Sequence, residues 1–363
     1  MPSADAIVIG AGLVGLALAR ELSRQGLRAE VYDAAAAGRG ASWAGAGMLA
    51  AYQLTHPALR ALGIASARLY PTWIRELELE TGLNAGYRPS GSLVITSAAR
   101  PAPSLMENGT GGWEHLSGDV SALEPGLCPG PGDEVWRVSG DHSIDNRALI
   151  AALLASLRDR GVPLHEHTMI ESIEAGRDGL GVVARGVRRP AGFVINCAGA
   201  WTGQIRAPFT VTVRPRKGQM IALRSTHELR HVIAAPGVYL VPRAGGRILA
   251  GATLEDCGFD PEVSEATARG LQQRASALVP ALAAAALEST WIGYRPCAPD
   301  GLPLLGPTPV PGYWLATAHF RDGILCAPIT AKIVSSAMAK GYLTTALDLA
   351  PFRPERFTAF TAA

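Results

Sequence analysis

The stretch AIVIGAGLVG at residues 6–15 decides the fold of this chain. Its first four residues are an apolar run rich in β-branched side chains, which predicts a buried parallel strand. The strand stops at Gly10, and a helical pattern begins directly after Gly12. With Gly15, these glycines match the dinucleotide-binding fingerprint: they make the tight turn, admit a pyrophosphate to the backbone and let the helix pack on the strand. The helix N-terminus then offers free N–H groups and a positive dipole end to phosphates.

A second strand and an acidic residue complete the same unit. The stretch AEVY at residues 29–32 follows the helix after Gly26 and runs into Asp33, about 18 residues past Gly15. An acid at this distance is placed to accept hydrogen bonds from an adenosine ribose. The alternative is a chance Gly-rich turn in an ordinary βαβ unit, and the position of Asp33 argues against it.

Composition limits the class of protein. The 363 residues are 48% hydrophobic and 18% charged with a net charge of +2, which predicts a soluble globular protein of about two domains. The weak charge, scattered Lys and Arg residues and few aromatics argue against nucleic acid or an acidic membrane as a partner. The early first strand leaves no room for a signal peptide, and glycines and charges interrupt every candidate membrane span. Five cysteines without a CxxC pair predict reduced thiols, no metal and a cytoplasmic location.

The rest of the chain alternates between helical and strand patterns. Helices are predicted at about 58–82, 147–160, 264–279 and 324–340, the second capped by Asp145 or Asn146. Strands are predicted at 91–96, 134–138, 162–165, 169–173, 193–201, 210–213, 219–223, 238–241, 248–251 and 313–318, with a loop at 98–118. The Gly- and Ala-rich segment 34–52 fits either a backbone that wraps a flat cofactor or a flexible surface loop.

These patterns predict an α/β (α+β) fold with two interleaved domains. A Rossmann-like domain would comprise residues 1–82, 142–207 and 290–363. An antiparallel-sheet substrate domain would comprise residues 83–141 and 208–289. The chain would therefore leave the nucleotide-binding domain and return to it twice.

Six segments in this order resemble the FAD-dependent amine and amino-acid oxidases of the D-amino-acid oxidase type, and among them most of all the glycine oxidases. The resemblance covers nearly the whole chain. The segments are Gly10, Gly12 and Gly15 with Asp33; 42–49; NCAGAW at 196–201; VYLVPR at 238–243; GYRP at 293–296 with DGLP at 300–303; and HFRDGI at 319–324.

The resemblance implies a noncovalent FAD cofactor and the residues that hold it. Asp33 would bind the adenosine ribose, Ser42 and 46–48 would lie along the flavin, Ile170 would meet the adenine, and the loop at 321–325 would close over the flavin ring. The complete set implied is Gly10, Gly12, Leu13, Val14, Gly15, Asp33, Ala34, Ser42, Ala46, Gly47, Met48, Ile170, Ala198, Gly199, Trp201, Arg321, Asp322, Gly323, Ile324 and Leu325.

The resemblance also implies a substrate pocket lined by Tyr239, Arg295 and Arg321. Arg295 would clamp the substrate carboxylate, for which a planar guanidinium is suited and a lysine is not. The α-hydrogen would leave as hydride to flavin N5, so no side-chain base is required. His142 and His319 are candidates for a base, but each fits a structural role better. Glycine would yield glyoxylate, ammonia and hydrogen peroxide with oxygen as acceptor, and in relatives the imine feeds thiamine thiazole synthesis.

Some features leave alternatives open. The stretch Ala235-Pro236-Gly237 and Leu254 depart from the family pattern and would reshape the pocket, so glycine, another small amine, sarcosine and small D-amino acids all remain candidate substrates. Cys297 does not match the cysteine to which some relatives attach flavin, a site where this chain has Gly293. A flavin dehydrogenase of secondary amines or hydroxy acids, passing electrons to a quinone or carrier, is the alternative activity. A nicotinamide-dependent enzyme and a protein that holds FAD only as structure are more distant ones. The sequence does not fix the oligomeric state, and a homo-oligomer remains open.

Overall fold

The computed structural model describes residues 4–97, 112–176, 179–341 and 345–357, and its first large sheet contains the strand of the glycine motif. The sheet has the spatial order β17–β18–β11–β1–β2–β8. Neighbouring strands are parallel except for β17 and β18. The strands are β1 (Ala4–Ile9), β2 (Ala29–Tyr32), β8 (Leu164–His165), β11 (Val187–Asn196), β17 (Leu304–Pro307) and β18 (Tyr313–Thr317).

Helices cover one face of this sheet, and a β-hairpin lies against the other. The helices are α1 (Leu13–Arg24), α3 (Pro57–Thr81), α4 (Asn146–Asp159) and α6 (Gly323–Lys340). The short helix α2 (Ala41–Ala44) packs instead on the second sheet. The apolar faces of α1, α3, α4 and α6 share one buried cluster with β1 and β2. The hairpin consists of β9 (Ile170–Gly176) and β10 (Gly179–Ala184). Strand β10 also pairs with the first residues of β11, which joins the hairpin to the sheet.

The second sheet has the order β16–β12–β15–β14–β13–β4–β6–β5 and is antiparallel except where β13 meets β4. Its strands are β4 (Ser92–Thr96), β5 (Trp113–Leu116), β6 (Glu134–Val138), β12 (Arg214–Arg224), β13 (Val232–Ala235), β14 (Val238–Pro242), β15 (Arg247–Gly251) and β16 (Ala286–Cys297). Helix α5 (Glu265–Leu278) packs on one face. The other face packs on residues 43–48, which run into β3 (Met48–Leu49), the partner of β7 (His142–Ser143).

The predicted α/β fold with one largely parallel and one largely antiparallel sheet is confirmed. Asp145 is the N-cap of α4, since its carboxylate accepts the N–H groups of Arg147 and Ala148. The domain ranges stay a prediction, and β16 runs across the predicted boundary at 290. Among the described helices, none combines the length and apolarity that crossing a bilayer requires.

Two local predictions are wrong. No strand forms at 210–213, because β12 begins only at Arg214. The alternating Thr and Val residues there lie beside Gly203 in the turn after β11. Val211 and Val213 pack on the apolar cluster that contains Ile170 and Ile173 of β9, but they pair with no strand. Within the loop predicted at 98–118, residues 98–111 lie outside the described residues, and Trp113–Leu116 forms β5 on the edge of the second sheet.

Candidate functional site

A cavity of about 920 Å³ runs between the two sheets. It begins at the carboxyl ends of β1 and β2, where ligands bind in open α/β sheets. It ends between β14, β16 and the N-terminus of α6. Every site residue predicted from the sequence lines it except Gly15 and Leu325, which are buried beneath it. The structure thus brings predicted residues from eight separate stretches of the chain to one cavity: 10–14, 33–34, 42–48, 170, 198–201, 239, 295 and 321–324.

The glycine turn at the first end of the cavity leaves no room for side chains. Gly10 has a φ of +101°, and a Cβ there would come within 2.6 Å of the Cys197 carbonyl oxygen. A Cβ on Gly15 would come within 1.9 Å of the Gly10 carbonyl oxygen, so this glycine lets α1 pack on the turn. Asp33 links the glycine turn to the segment after β2, because its carboxylate accepts hydrogen bonds from the N–H groups of Ala11 at 2.7 Å and Ala35 at 2.8 Å. Both Asp33 oxygens keep a second lone pair for ribose hydroxyls.

The segment 40–48 forms the cavity wall beside this turn, so the cofactor-wrapping interpretation of the Gly- and Ala-rich segment is favoured over a free surface loop. Ser42 Oγ accepts the N–H of Leu13 at 2.8 Å and ties the segment to the start of α1. A Cβ on Gly47 would come within 1.9 Å of the Ile144 carbonyl oxygen, so only glycine fits there.

Arg243 holds the segment 40–48 from the side opposite the cavity. It belongs to the sequence motif at 238–243, but no role for it was predicted. Its Nη2 donates to the carbonyl oxygens of Ala46 at 2.6 Å and Ile144 at 3.1 Å. The side chain is buried, and burial lowers the pKa of Arg243 to about 10. A guanidinium with several donors in one plane can hold both carbonyl groups at once.

The N-terminus of α6 faces the cavity without an internal cap. Asp322 occupies the N-cap position, but its carboxyl group accepts no hydrogen bond from the helix. Burial raises the pKa of Asp322 to about 7, and the Arg321 guanidinium opposes this shift. Ile324 and Gly323 also line the cavity. The uncapped N–H groups and the helix dipole favour an electron-rich ligand atom at this position.

At the opposite end of the cavity, the second sheet presents the guanidinium group of Arg295. The Arg295 guanidinium lies across Gly218 of the neighbouring strand, and its Nη1 donates to the Thr253 carbonyl oxygen at 3.1 Å. No carboxylate lies within 4.0 Å of Arg295 among the described residues. Burial lowers the pKa of Arg295, and the Tyr239 hydroxyl opposes the shift. A partly buried cation held by neutral carbonyl and hydroxyl groups can pair with an anionic ligand.

Tyr239 lies near enough to Arg295 to affect its pKa, although the row through Tyr239 crosses the sheet by Gly251 and Met220 to Trp291. The register places Tyr239 opposite Ala234 on one side and Gly251 on the other. A Cβ on Gly251 would come within 3.1 Å of the Tyr239 hydroxyl oxygen, and that hydroxyl donates to Met220 Sδ at 3.5 Å. Burial raises the pKa of Tyr239 against the opposing effect of the nearby Arg295 and Arg321 guanidinium groups. The phenol therefore stays neutral and can donate to a carboxylate.

Arg321 adds a second positive charge near the same end. It lines the cavity with its Cζ 5.2 Å from the centre of the Phe320 ring, and it forms no ion pair with any described carboxylate. Its charge lowers the pKa of both Tyr239 and Arg295. The pocket between these three residues is thus positively charged and suits a substrate with one negative end.

Neither histidine candidate fits a catalytic base. His319 is 3% exposed, its Nε2 lies 3.0 Å from Thr330 Oγ1, and burial lowers its pKa to about 4. His142 lies outside the cavity lining. His319 lines the cavity, but its burial and low pKa favour a structural role, which stays a prediction for both histidines.

Of the other residues named in the sequence analysis, some line the cavity and some do not. Leu254 is 41% exposed and lies outside the cavity lining, whereas Ala235 and Gly237 belong to it. Cys297 also lies outside the lining, and burial raises the pKa of its thiol. In the segment Arg216–Met220, which the sequence did not place, Gly218 and Met220 line the cavity. The described residues contain no cluster of side chains that could hold a metal ion.

Gln53 and Leu54 line the cavity although the sequence analysis assigned them no role. Gln53 Nε2 donates to Asp141 Oδ2 at 2.8 Å and contacts Ser92 Oγ at 3.3 Å. No motif marks this residue, because its partners are 39 and 88 positions away in the chain.

The site fits an extended dinucleotide with a flat ring at one end. Glycines clear the turn where a pyrophosphate would approach, and Asp33 lies at the end of β2, where the fingerprint expects the acid that would bind the ribose. The wall at 44–48 and the uncapped start of α6 fit the ring of FAD.

Comparison with known proteins agrees with this fit. Residues 5–337 match the family model DAO, described as FAD dependent oxidoreductase. The chain is 33% identical to a glycine oxidase of Pseudomonas aeruginosa over 96% of this chain and 98% of that protein. It is 35% identical to a bifunctional protein ThiO/ThiG of Nostoc over 93% of this chain, and it spans about half the length (53%) of that relative.

A solved structure of glycine oxidase from Geobacillus kaustophilus superposes with a TM-score of 0.93 at 30% identity, covering 99% of this chain and 100% of that one. Fold and sequence therefore agree with these proteins over almost the full length of the chain. The chain belongs to the DAO family of FAD-dependent oxidoreductases.

Proposed function

We propose that this chain oxidises glycine, or another small amine or D-amino acid, to the 2-oxo acid, ammonia and hydrogen peroxide. From glycine the 2-oxo acid is glyoxylate. The observation that carries the proposal is the Arg295 guanidinium, which lines the cavity and is held by carbonyl oxygens without a carboxylate partner among the described residues. The relatives named glycine oxidase support a small amino-acid substrate.

The roles proposed for the pocket residues follow from their charges and donors. Arg295 binds the substrate carboxylate through two N–H groups, and the Tyr239 hydroxyl donates a further hydrogen bond to it. Arg321 supplies a second positive charge beside them. Two cations near the substrate disfavour a third, so the amine loses its proton and binds neutral. The positioned substrate then needs no protein base.

FAD, when bound, supplies the redox chemistry: its N5 accepts the α-hydrogen as hydride, and the electrons pass on to oxygen. The residues proposed to hold it are those of the glycine turn, Asp33, the wall at 44–48 and the loop at 321–325. Noncovalent binding is part of this proposal, because Cys297 lies outside the cavity lining and position 293 is a glycine. Acid precipitation of the holoprotein is expected to release all of its flavin.

The proposal also covers the domain organisation, the cellular location and the metabolic role of the protein. In the proposed division, the antiparallel-sheet domain of residues 83–141 and 208–289 supplies Tyr239. Arg295 lies on β16, which crosses the proposed boundary at 290. The five unpaired cysteines support the cytoplasmic location proposed from the sequence. The similarity to ThiO/ThiG proteins supports a role in thiamine synthesis.

Anaerobic reduction of the holoprotein tests the function. Glycine, sarcosine, D-alanine and D-proline are mixed with it under nitrogen while the flavin absorbance is followed. We expect bleaching by glycine or another of these amines, and rapid recovery with peroxide release when air is admitted. Slow recovery in air would instead identify a dehydrogenase that donates to a quinone or carrier. No bleaching by any amine would contradict the proposal.

A further inference from the structure

Three aromatic rings from distant parts of the chain meet at one side of the cavity. Trp201 follows β11 of the first sheet, Tyr294 belongs to β16 of the second sheet, and Phe259 lies on the segment between β15 and α5. The rings of Trp201 and Phe259 are stacked with their centres 5.2 Å apart. The Tyr294 ring meets both of them edge-on, at 6.2 Å from Trp201 and 5.2 Å from Phe259. This aromatic cluster therefore connects the two sheets.

Trp201 is the ring of the cluster that lies at the boundary between cavity and solvent. It lines the cavity and is nevertheless 40% exposed. Tyr294 also lines the cavity, whereas Phe259 does not. Phe259 thus supports the Trp201 ring from outside the cavity. A half-exposed ring without such a neighbour would be free to change its rotamer, and ordering it when a ligand binds would cost affinity.

The segment that carries Phe259 is itself anchored to the second sheet. The Tyr294 hydroxyl donates to the carbonyl oxygens of Phe259 at 3.2 Å and Asp260 at 2.8 Å. Lys217, opposite Tyr294 on the neighbouring strand, is 3% exposed, and its Nζ donates to Asp260 Oδ2 at 2.5 Å. A buried ammonium group is costly without its anionic partner, so this ion pair holds the segment in place. The position of Phe259 is therefore fixed from the side of the second sheet.

We propose that Phe259 is a positioning residue for the cofactor: by stacking on Trp201 it holds that ring against the open side of the cavity and slows the release of FAD. The cavity cannot open between these two residues unless the stack is broken. Because Phe259 does not line the cavity, it acts only through Trp201. This inference goes beyond the proposed function, since it concerns retention of the cofactor and does not depend on which amine is oxidised.

The rate of FAD release from the holoprotein tests this role without any substrate. The holoprotein is diluted, and the rise of flavin fluorescence follows the release. Phe259→Leu removes the ring and keeps an apolar side chain, and it should release FAD about tenfold faster because Trp201 loses its stacking partner. Phe259→Tyr keeps the ring and should release FAD at close to the wild-type rate. Phe357→Leu, at a ring that is 37% exposed and outside the cavity lining, is the control and should not change the rate.

A double-mutant cycle shows whether Phe259 acts through Trp201. Trp201→Leu alone should accelerate release at least as much as Phe259→Leu does. Adding Phe259→Leu to Trp201→Leu should then change the rate by less than about twofold, because the stack is already lost. A merely structural effect of Phe259 would instead give the same acceleration with and without Trp201.

Two variants test the anchor of the segment and leave the stacked rings in place. Tyr294→Phe keeps the aromatic ring and removes the hydroxyl that binds the carbonyl groups of Phe259 and Asp260. Lys217→Met removes the charge that holds Asp260. Both should accelerate FAD release, but less than Phe259→Leu does, because the stack is loosened rather than removed.

Each outcome decides for or against the role of Phe259. Release at the wild-type rate in Phe259→Leu overturns the proposal, and so does equal acceleration with and without Trp201. If Phe259→Leu does not fold, unchanged release in both Tyr294→Phe and Lys217→Met overturns it. Failure of every amine to reduce the flavin would contradict the proposed function and leave this inference standing, because FAD release is measured without substrate.

Discussion

The guanidinium of Arg295 lies across Gly218, so closely that a Cβ on this glycine would come within 2.1 Å of Nη1 and 2.5 Å of Nη2. Gly218 belongs to β12 and Arg295 to β16, and these strands are paired along their whole length. The missing side chain is what lets the guanidinium lie flat beside the sheet and reach the Thr253 carbonyl oxygen. The position of the proposed carboxylate clamp therefore depends on a residue with no side chain.

Gly218→Ala is expected to push the Arg295 guanidinium out of position. KM for the best amino-acid substrate should rise about tenfold or more, because the carboxylate loses a well-aligned bidentate partner. Affinity of the apoprotein for FAD should change much less. Gly270→Ala in α5 is the control, since the nearest atom to its Cβ is 3.8 Å away. An unchanged KM in Gly218→Ala would show that the guanidinium does not need this position.

Arg243→Met is expected to weaken FAD binding. The variant removes the donors that hold the carbonyl groups of Ala46 and Ile144, so the cavity wall at 44–48 loses its support. Each hydrogen bond to a charged donor contributes about 1.5–3 kcal/mol, and we expect the FAD dissociation constant to rise at least tenfold. Fluorescence titration of the apoprotein measures it. Arg224→Met replaces a half-exposed arginine outside the cavity lining and should bind FAD as the wild type does. Equal affinity in both variants would contradict the role of Arg243.

Asp322 makes the stability of the apoprotein depend on pH. Its folded pKa of about 7 lies above its unfolded value of 3.8, so the folded state retains the proton more strongly. This contribution to the free energy of unfolding is complete below about pH 4 and is lost as the pH rises to about 7. At about 1.4 kcal/mol per pKa unit, the largest loss is ~4 kcal/mol. Asp322→Asn should therefore be more stable than the wild type at pH 8 and nearly equal at pH 4. Urea unfolding of the two apoproteins at both pH values measures the difference, and a difference that does not change with pH would refute it.

The Asp145 cap predicts a smaller effect on stability. Its carboxylate accepts the N–H groups of Arg147 at 3.0 Å and Ala148 at 3.1 Å at the start of α4. Asp145→Ala should lower the free energy of unfolding by about 1 kcal/mol, whereas Asp145→Ser, which keeps an oxygen acceptor, should lose less. Chemical denaturation compares the three proteins, and equal losses in both variants would show that the cap bonds do not matter.

Local signals predicted the parts of the fold that depend on neighbours in sequence. The strand, glycines, helix and acid between Ala6 and Asp33 each reflect the backbone or a single turn, and all of them form as expected. The Thr and Val residues at 210–213 show the limit of such a pattern. They alternate like a strand, but pairing depends on a partner edge, and β12 finds its partners only from Arg214 onwards.

The site was predictable to the extent that residues belong to family motifs. Tyr239, Arg295 and Arg321 all reach the cavity. Arg243 and Gln53 escaped assignment because their positions in the site arise from contacts between distant segments. Arg243 acts on carbonyl groups 99 and 197 positions away, and Gln53 is oriented by Asp141, 88 positions away. No spacing in the sequence encodes such contacts.

The central claim is that Arg295 binds the carboxylate of the amine that is oxidised. Arg295→Ala tests it most directly, by stopped-flow reduction of the FAD-loaded variant with the best amino-acid substrate under nitrogen. We predict a fall in the second-order rate of flavin reduction of about a thousandfold, the loss of roughly 4 kcal/mol from a desolvated charge pair, with partial rescue by added guanidinium. A rate equal to that of the wild type would contradict the account, because the carboxylate would then be held elsewhere.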